Sequence, residues 1–341
     1  MREVRATCPA EIAALRRRLD EKTKPRGSLG RLEDIAVRVA AAGGRVDTLD
    51  PVIVVVAGDH GVARHGVSAY PQEVTRQMVA AFAGGDAAVC VLARQAAARV
   101  VVVDAGVVEP VDDAAVVDLR QGPGTADFTA GPAMTRGQAE AALEAGIELA
   151  DGLTGDHGLV ALGEMGIGNS TASAAVAAAL LECAPRLTCG RGTGLDDAGV
   201  AHKVAVVEAG LRLHEPDPAD PVGVLAAVGG FELAVLAGLA LGAASREVPV
   251  VIDGFISSTS ALAAARLAPA LSSRLVASHR SPEPGHGLVL DSLGLEPVLD
   301  LGMRLGEGSG AALCLPLIRS SLAILEEMAT FAGAGVTDAG R

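Results

Sequence analysis

Short apolar runs rich in β-branched residues recur along the chain, and each is followed by a turn bearing glycine or serine and then by an alanine-rich stretch. The runs are Val52–Ala57, Val100–Val103, Gly158–Leu162, Val248–Ile252 and Leu275–Ala277. Strands that are apolar throughout are buried on both faces, and strands that alternate with helices pair in parallel. The sequence therefore predicts an α/β fold built on a doubly wound, mainly parallel, Rossmann-like sheet.

Both ends of the chain have helical rather than strand periodicity. Apolar residues at helical spacing mark three terminal segments: Pro9–Asp20, Ser28–Val39 and Ser309–Met328. A chain of 341 residues is long enough for about two domains. We expect a large α/β domain over residues 46–300, which binds nucleotide and base, and a small discontinuous helical domain formed by residues 1–45 and 301–341.

Composition excludes several classes of function. The net charge is −13 and only six residues are aromatic, which argues against a nucleic-acid partner. Polar residues interrupt every stretch that approaches the roughly 20 apolar residues of a membrane span. The charged segment Met1–Lys22 lacks the apolar core of a signal peptide, so we expect a cytoplasmic protein. Five cysteines, none spaced CxxC, predict neither a disulfide framework nor a zinc site, and no metal or other cofactor is expected.

The segment Gly163–Thr171 (GEMGIGNST) joins a predicted strand to a predicted helix. Gly166 and Gly168 allow backbone N–H groups to point at an anion beside the positive end of the helix, which is typical of a phosphate-binding loop. The alternative is an ordinary turn in which Asn169 or Ser170 caps the helix. The full GxGxxG pattern of dinucleotide-binding proteins is missing.

Three further segments carry polar groups at strand ends. Gly190–Asp197 is a second glycine-rich turn, and Lys203 lies in the helix after it, where it suits an anionic ligand or a solvated surface. The hydroxyls of Ser257–Ser260 either bind ribose or phosphate or cap a helix. His279 and His286 are separated by two prolines, a poor spacing for a preformed metal pair.

Glu307 lies within Leu305–Gly310 (LGEGSG), where three glycines flank a single carboxylate just before a predicted helix. Little side-chain bulk shields this carboxylate from a ligand. If the apolar neighbours raise its pKa toward neutrality, Glu307 can act as a general base. The alternative is a glutamate that interacts with the helix dipole.

Eight segments together carry a resemblance to a known family. They are KPRGSLGRLE (24–33), VAGDHGVARHGVSAYPQEVT (56–75), LGEMGIGNSTASAA (162–175), GRGTGLDDAGVAHK (190–203), GGFELAVLAG (229–238), VIDGFISSTSAL (251–262), SHRSPEPGH (278–286) and MRLGEGSGAAL (303–313). In this order, and over nearly the whole chain, they resemble the nicotinate-nucleotide:dimethylbenzimidazole phosphoribosyltransferases, which build the lower nucleotide loop of cobalamin.

The resemblance implies a reaction and an assembly. Members of this family form homodimers and move the phosphoribosyl group of nicotinate mononucleotide to a nitrogen of 5,6-dimethylbenzimidazole. The products are nicotinate and α-ribazole 5′-phosphate, with inversion at C1′. Nicotinate leaves with a neutral ring nitrogen, so the resemblance implies neither a general acid nor a metal.

The resemblance also implies roles for individual residues. Glu307 corresponds to the glutamate that takes the proton of the base, and Glu164 and Lys203 lie near the reacting centre. The groups expected to hold phosphate and ribose are Gly166, Gly168, Asn169, Gly192, Gly194 and Ser281.

The base pocket is the feature in which the chain departs from some family members. Tyr70 stands beside Pro71, where some members carry small or polar residues, and Met78 follows two helical turns later. We expect Tyr70, Met78 and Leu305 to contact a flat bicyclic base, which leaves the identity of that base open. The alternative for Tyr70 and Met78 is a place in the hydrophobic core.

Two other functions fit parts of the pattern. Units of strand, glycine turn and helix also occur in NAD-dependent oxidoreductases, but the chain lacks GxGxxG followed about 20 residues later by an acidic residue. A non-catalytic nucleotide-binding regulator would not need a lone glutamate among glycines.

Overall fold

A computed structural model describes residues 3–153 and 158–338. Within these residues six strands form one parallel sheet in the order β3-β2-β1-β4-β5-β6. The strands are β1 (Pro51–Gly58), β2 (Arg99–Gly106), β3 (Val116–Asp118), β4 (Leu159–Met165), β5 (Val250–Ile252) and β6 (Leu275–Ala277). The predicted α/β fold with a doubly wound parallel sheet is confirmed.

Helices cover both faces of this sheet. They are α1 (Pro9–Asp20), α2 (Arg31–Ala41), α3 (Glu73–Gly84), α4 (Ala88–Gln95), α5 (Arg136–Leu153), α6 (Asn169–Leu180), α7 (Asp197–His214), α8 (Pro221–Val228), α9 (Phe231–Ser245), α10 (Phe255–Leu267), α11 (Pro284–Leu293), α12 (Ser309–Glu327) and α13 (Phe331–Ala334). The strand order reverses direction between β1 and β4. In open α/β sheets, ligands bind outside the carboxyl ends of the strands at such a point.

Alternate residues of the central strands pack into two different cores. Val52, Val54 and Val56 of β1 face one core, which is shared with α5, α6, α8, α9 and α10. Ile53 and Val55 face the other, which is shared with α2, α3, α4 and α12. Every residue of β1 is buried, so the apolar runs in the sequence follow from a strand covered on both faces.

Edge strand β3 is the element that sequence periodicity missed. It has three residues, pairs only with β2 and is partly exposed. A strand this short carries too few residues to show a pattern.

The two chain ends meet on one face of the sheet. Leu15 and Leu19 of α1 pack with Val37 of α2 and Leu325 of α12 in a small cluster of their own. Helices α2 and α12 also pack directly on the sheet through residues such as Ile35 and those of the second core. The boundaries of the small helical domain stay a prediction, and residues 1–2 and 339–341 of that domain lie outside the described residues.

Two helical stretches of the described chain, Glu73–Gln95 and Ser309–Glu327, are long and apolar enough to cross a membrane by length and composition alone. The first is interrupted between α3 and α4. The second buries Leu315, Ile318 and Leu322 against the sheet. Core helices of globular proteins pass the same test of composition.

Helices α5 and α9 approach so closely that Gly146 is needed between them. A Cβ at this position would lie 2.1 Å from the carbonyl oxygen of Val235 and 2.7 Å from the amide nitrogen of Leu239. We expect Gly146→Ala to lower the free energy of unfolding by about 1–3 kcal/mol, because the backbones must separate. Urea denaturation measures this change.

Gly137→Ala is the matched control, since Gly137 lies on the same helix and a Cβ there meets nothing within 4 Å. It should leave stability unchanged or raise it by up to about 1 kcal/mol. Equal stabilities of the two variants would contradict the close packing of α5 on α9.

Candidate active site

A cavity of about 500 Å³ opens at the carboxyl ends of the central strands. Its wall comes from the turns after β4, β5 and β6, from the Gly192–Thr193 turn and from the segment before α12. Its lining residues are Tyr70, Glu164, Met165, Gly166, Ile167, Asn169, Ser170, Gly192, Thr193, Gly254, Phe255, Ile256, His279, Ser281, Glu283, Arg304, Leu305 and Gly306.

The turn after β4 brings backbone N–H groups and Asn169 to this cavity. A Cβ at Gly166 would lie 2.2 Å from the carbonyl oxygen of Gly58, so only glycine fits against the end of β1. Gly168 adopts a left-handed conformation with φ of 97° directly before α6. Thr75 of α3 accepts the N–H of Ile167 at 3.0 Å and holds the turn from the other side.

Glu164, near the end of β4, is buried and lines the cavity. Its Oε2 accepts a hydrogen bond from the side-chain amide of Asn169. Its Oε1 lies against Gly306, where a Cβ would come within 2.2 Å of that oxygen. The glycine therefore lets the segment before α12 close over the carboxyl group of Glu164.

Glu307 lies between two glycines in an unusual stretch of backbone. Gly306, Glu307 and Gly308 all have positive φ, at 82°, 66° and 87°. The stretch packs on β4, because a Cβ at Gly163 would lie 2.6 Å from the carbonyl oxygen of Glu307. Glu307 is 6% exposed. This backbone fixes Glu307 next to Gly306, which contacts the carboxyl group of Glu164.

Burial changes the acid–base behaviour of both glutamates. Burial and the nearby charge of Asp253 raise the pKa of Glu164 to about 8. The same two causes raise the pKa of Glu307 to about 7. Asp253 follows β5 and accepts the N–H of Ala311 at 2.8 Å, in the first turn of α12. Both glutamates therefore lose their protons at a higher pH than an exposed glutamate does.

Lys203 lies behind Ser170, which lines the cavity. It is fully buried, and its Nζ donates to Ser170 Oγ at 2.8 Å and to the carbonyl oxygen of Gly190 at 3.4 Å. Burial lowers the pKa of Lys203, and the charge of Glu283 opposes this change. A Cβ at Gly192 would lie 3.2 Å from the Lys203 Nζ. Nζ of Lys203 therefore lies next to Ser170 and the Gly192 turn, both of which line the cavity.

Apolar side chains also form part of the cavity wall. Tyr70, Met165 and Leu305 line the cavity together with Phe255 and Ile256. Tyr70 and Leu305 are more than half exposed, at 55% and 56%. The loop that carries Tyr70 is held to the Gly192–Thr193 turn, because Thr193 Oγ1 accepts the N–H of Ala69 at 2.9 Å. Flat apolar ligands suit a surface of this composition.

Seven of the residues predicted from the sequence line the cavity: Tyr70, Glu164, Gly166, Asn169, Gly192, Ser281 and Leu305. The other five lie around it. Glu307 follows Gly306, and Lys203 lies behind Ser170. The Cβ position of Gly168 faces His60, and Gly194 is exposed with no atom near its Cβ position. Met78 packs, half-buried, in the same core as Met165. The roles of these residues stay predictions.

Sequence reasoning missed several groups at the cavity. Asp253 was not singled out although its charge acts on both glutamates, and Met165, Glu283 and Arg304 were not expected in the wall. Their position at the ends of strands could have identified two of them, since Met165 ends β4 and Asp253 directly follows β5. Among residues 3–153 and 158–338, no three His, Cys, Asp or Glu side chains are grouped closely enough to hold a metal ion.

The model of a protein family described as phosphoribosyltransferase matches residues 5–336 of the chain. The chain belongs to this phosphoribosyltransferase family. The nicotinate-nucleotide–dimethylbenzimidazole phosphoribosyltransferase of Roseiflexus sp. (strain RS-1) is 53% identical to it over 332 residues, which cover 96% of this chain and 94% of that protein. The protein of the same name from Geobacter sulfurreducens is 51% identical over 338 residues, with 97% and 96% covered.

A solved structure has the same fold. The crystal structure of CobT from Thermus thermophilus superposes with a TM-score of 0.90 and 47% sequence identity, covering 96% of this chain and 99% of that one. The expected family is thus confirmed. These matches extend over nearly the whole chain.

The raised pKa of Glu164 makes the stability of the phosphoribosyltransferase depend on pH. The folded protein holds a proton that the unfolded chain releases between about pH 4.5 and 8, so the free energy of unfolding falls as pH rises through this window. Glu164→Gln carries no charge, and we expect it to reduce the fall by at least about 1 kcal/mol. Denaturant unfolding at pH 5, 6, 7 and 8 measures the difference.

Glu109→Gln, at an exposed loop position, serves as the control and should keep the wild-type pH dependence. The interpretation of Glu164 would be wrong if its Gln variant lost as much stability between pH 5 and 8 as the wild type.

Proposed function

We propose that the enzyme moves the 5-phosphoribosyl group from nicotinate mononucleotide to 5,6-dimethylbenzimidazole and releases nicotinate. The observation that carries this proposal is the pair of buried glutamates on either side of Gly306, whose pKa values burial raises toward neutrality. Glu164 lines the cavity, and Glu307 directly follows Gly306, which also lines it. Relatives named for this reaction match the chain over nearly its full length.

The chemistry needs a proton acceptor rather than a donor. One nitrogen of the base forms a bond to C1′ while the bond from C1′ to the nicotinate nitrogen breaks, and that nitrogen leaves neutral. Attack from the opposite face inverts the configuration at C1′. The base must lose its N–H proton, and Glu307, with a pKa of about 7, is suited to accept it. Glu164 keeps its own proton and can donate a hydrogen bond into the cavity.

The nucleotide end is assigned to the wall that contains Ser170, Gly192 and Ser281. The start of α6 presents its positive dipole end to an anion. Lys203 adds a charge immediately behind Ser170, at 2.8 Å from its hydroxyl. We assign this wall to the phosphate and ribose.

The base end is assigned to the apolar wall of Tyr70, Leu305 and Met165. Met78 packs, half-buried, against the same core as Met165, so any effect of Met78 on the base is indirect. Methionine adapts to ligands of different outline, whereas tyrosine adds a flat surface. We therefore propose that dimethylbenzimidazole is accepted with some tolerance for other benzimidazoles.

The proposal includes a cytoplasmic homodimer without a resident cofactor. Cys8, Cys90, Cys183, Cys189 and Cys314 are all free thiols in the structure, which supports a reducing compartment. The homodimer follows from the family resemblance.

Chromatographic detection of nicotinate tests the reaction directly. The purified enzyme is mixed with nicotinate mononucleotide, with and without dimethylbenzimidazole. We expect nicotinate release only when the base is present, together with a phosphoribosylated base. Nicotinate release at the same rate without the base would contradict the proposal. Absence of any release would also contradict it, and is the result expected for a nicotinamide-dependent oxidoreductase or a non-catalytic nucleotide-binding protein.

Glu307→Gln tests the proton acceptor. The amide keeps the shape of the side chain but cannot accept the proton, so kcat should fall by roughly 10² to 10⁴ with both KM values within a few-fold. Wild-type kcat should rise as pH increases through about 7, where Glu307 loses its proton, and the variant should lack this rise. Steady-state rates from pH 5 to 9 measure both effects, with Glu109→Gln as control. A variant with near wild-type kcat removes Glu307 from the mechanism.

Tyr70→Ala tests the base wall. We expect it to change the product ratio in a competition between dimethylbenzimidazole and benzimidazole, while the KM for nicotinate mononucleotide stays within a few-fold. Met78→Ala should change the ratio as well. Leu213→Ala, an exposed apolar residue on α7, is the control. If Tyr70→Ala and Met78→Ala both give the wild-type product ratio, the base does not bind at this wall.

A further inference from the structure

His286 is a fully buried side chain to which neither the mechanism nor the residue predictions assign a role. It lies in the first turn of α11, at the end of the segment SHRSPEPGH. Its neighbour Gly285 packs against the ring of Phe255 on α10, where a Cβ would come within 2.7 Å of the ring. This close approach brings the imidazole between α10 and the loop after β6.

Both ring nitrogens of His286 have a hydrogen-bond partner. Nδ1 lies 2.9 Å from the backbone nitrogen of Ser281, and Nε2 lies 3.1 Å from Ser258 Oγ. A backbone N–H can only donate, so Nδ1 must be the unprotonated nitrogen. The proton is therefore on Nε2 and is donated to Ser258. The two contacts together select one neutral tautomer.

The electrostatic surroundings maintain this neutral form. Burial, with the charges of His279 and Arg280, lowers the pKa of His286 to about 3. The ring centre of His279 lies 6.3 Å from that of His286. His286 is thus neutral near neutral pH, where its Nδ1 accepts the N–H of Ser281.

The contact with Ser281 continues to the cavity wall. Ser281 Oγ accepts the N–H of Glu283 at 3.3 Å, and Glu283 Oε1 accepts the N–H of Gly192 at 2.9 Å. Ser281, Glu283 and Gly192 all line the cavity. A chain of hydrogen bonds thus joins α10, through His286, to the glycine turn in front of Lys203.

These bonds determine which groups remain for a ligand. The N–H of Ser281 is used by His286, and its oxygen accepts from Glu283. The hydroxyl proton of Ser281 is then the donor that can point into the cavity. Without the acceptor on His286, the buried N–H of Ser281 has no partner, and the loop must move to find one.

We propose that His286 is a positioning residue for nucleotide binding, which holds the loop of Ser281 and Glu283 in register with the Gly192 turn through its unprotonated Nδ1. The proposal rests on the proposed function, since the nucleotide is taken to be nicotinate mononucleotide. His286 does not touch the ligand. It acts by fixing the hydroxyl of Ser281 and the backbone of Gly192.

Two substitutions at position 286 separate the acceptor from the bulk of the ring. In His286→Asn the amide oxygen replaces Nδ1 on the same carbon, so the bond to Ser281 can persist. In His286→Leu the volume is retained but the acceptor is lost. We expect His286→Leu to raise the KM for nicotinate mononucleotide at least tenfold, with kcat and the KM for dimethylbenzimidazole within threefold. His286→Asn should restore the nucleotide KM to within threefold of wild type.

Direct binding of nicotinate mononucleotide without the base, measured by calorimetry, should show the same order of affinities. In ¹⁵N NMR spectra of the wild type, His286 should carry its proton on Nε2 from pH 5 to 8. Equal nucleotide KM values for wild type and His286→Leu would overturn the proposal. So would a nucleotide KM for His286→Asn as high as that of His286→Leu, because the ring would then act by packing alone.

If His286→Leu does not fold, the nucleotide KM of Ser258→Ala is measured instead. It removes the partner of Nε2 and should raise the nucleotide KM at least threefold without changing the KM for the base. An unchanged nucleotide KM would overturn the proposal. Failure of the proposed function looks different, since the wild type itself would then neither bind nicotinate mononucleotide nor release nicotinate.

Discussion

Gly163 on β4 and the backbone of Glu307 meet with no room for a side chain, since a Cβ at 163 would lie 2.6 Å from the carbonyl oxygen of Glu307. This contact joins the middle of the sheet to the segment before α12. It also brings Gly306 against the carboxyl group of Glu164. Two acidic side chains from distant parts of the chain therefore share one buried site. Their raised pKa values follow from that burial and from the charge of Asp253.

The parallel sheet supplies the frame in which this contact is possible. All six strands of the described chain end at the same edge, and the order reverses direction between β1 and β4. Loops after neighbouring strands diverge there and leave a cavity. At positions 163, 166 and 306, glycine leaves room for backbone atoms or a carboxyl group where a Cβ would otherwise lie. The same edge carries the start of α6 and, behind it, the charge of Lys203.

Polar groups in the site depend on partners from other elements. Asp253 is held by the first turn of α12, Ile167 by Thr75 of α3, and Ser281 by His286 of α11. Each of these partners is buried, so each bond is made away from competing water. The positions of these groups at the cavity are thus set by helices that do not line the cavity themselves. For this reason a sequence motif locates the loop but not the orientation of its side chains.

The sequence by itself determined the α/β class, five of the six strands and the glycine-rich turns, because burial on both faces and helix periodicity leave local patterns. It also led to Glu307 and Glu164 through local glycine patterns and through motifs that extend over the chain. Only the tertiary structure decided that Lys203 lies behind Ser170, that Met78 packs half-buried against the core, and that Asp253 acts on both glutamates. These facts depend on contacts between residues far apart in the chain, and desolvation and charge at a site are the sum of such contacts.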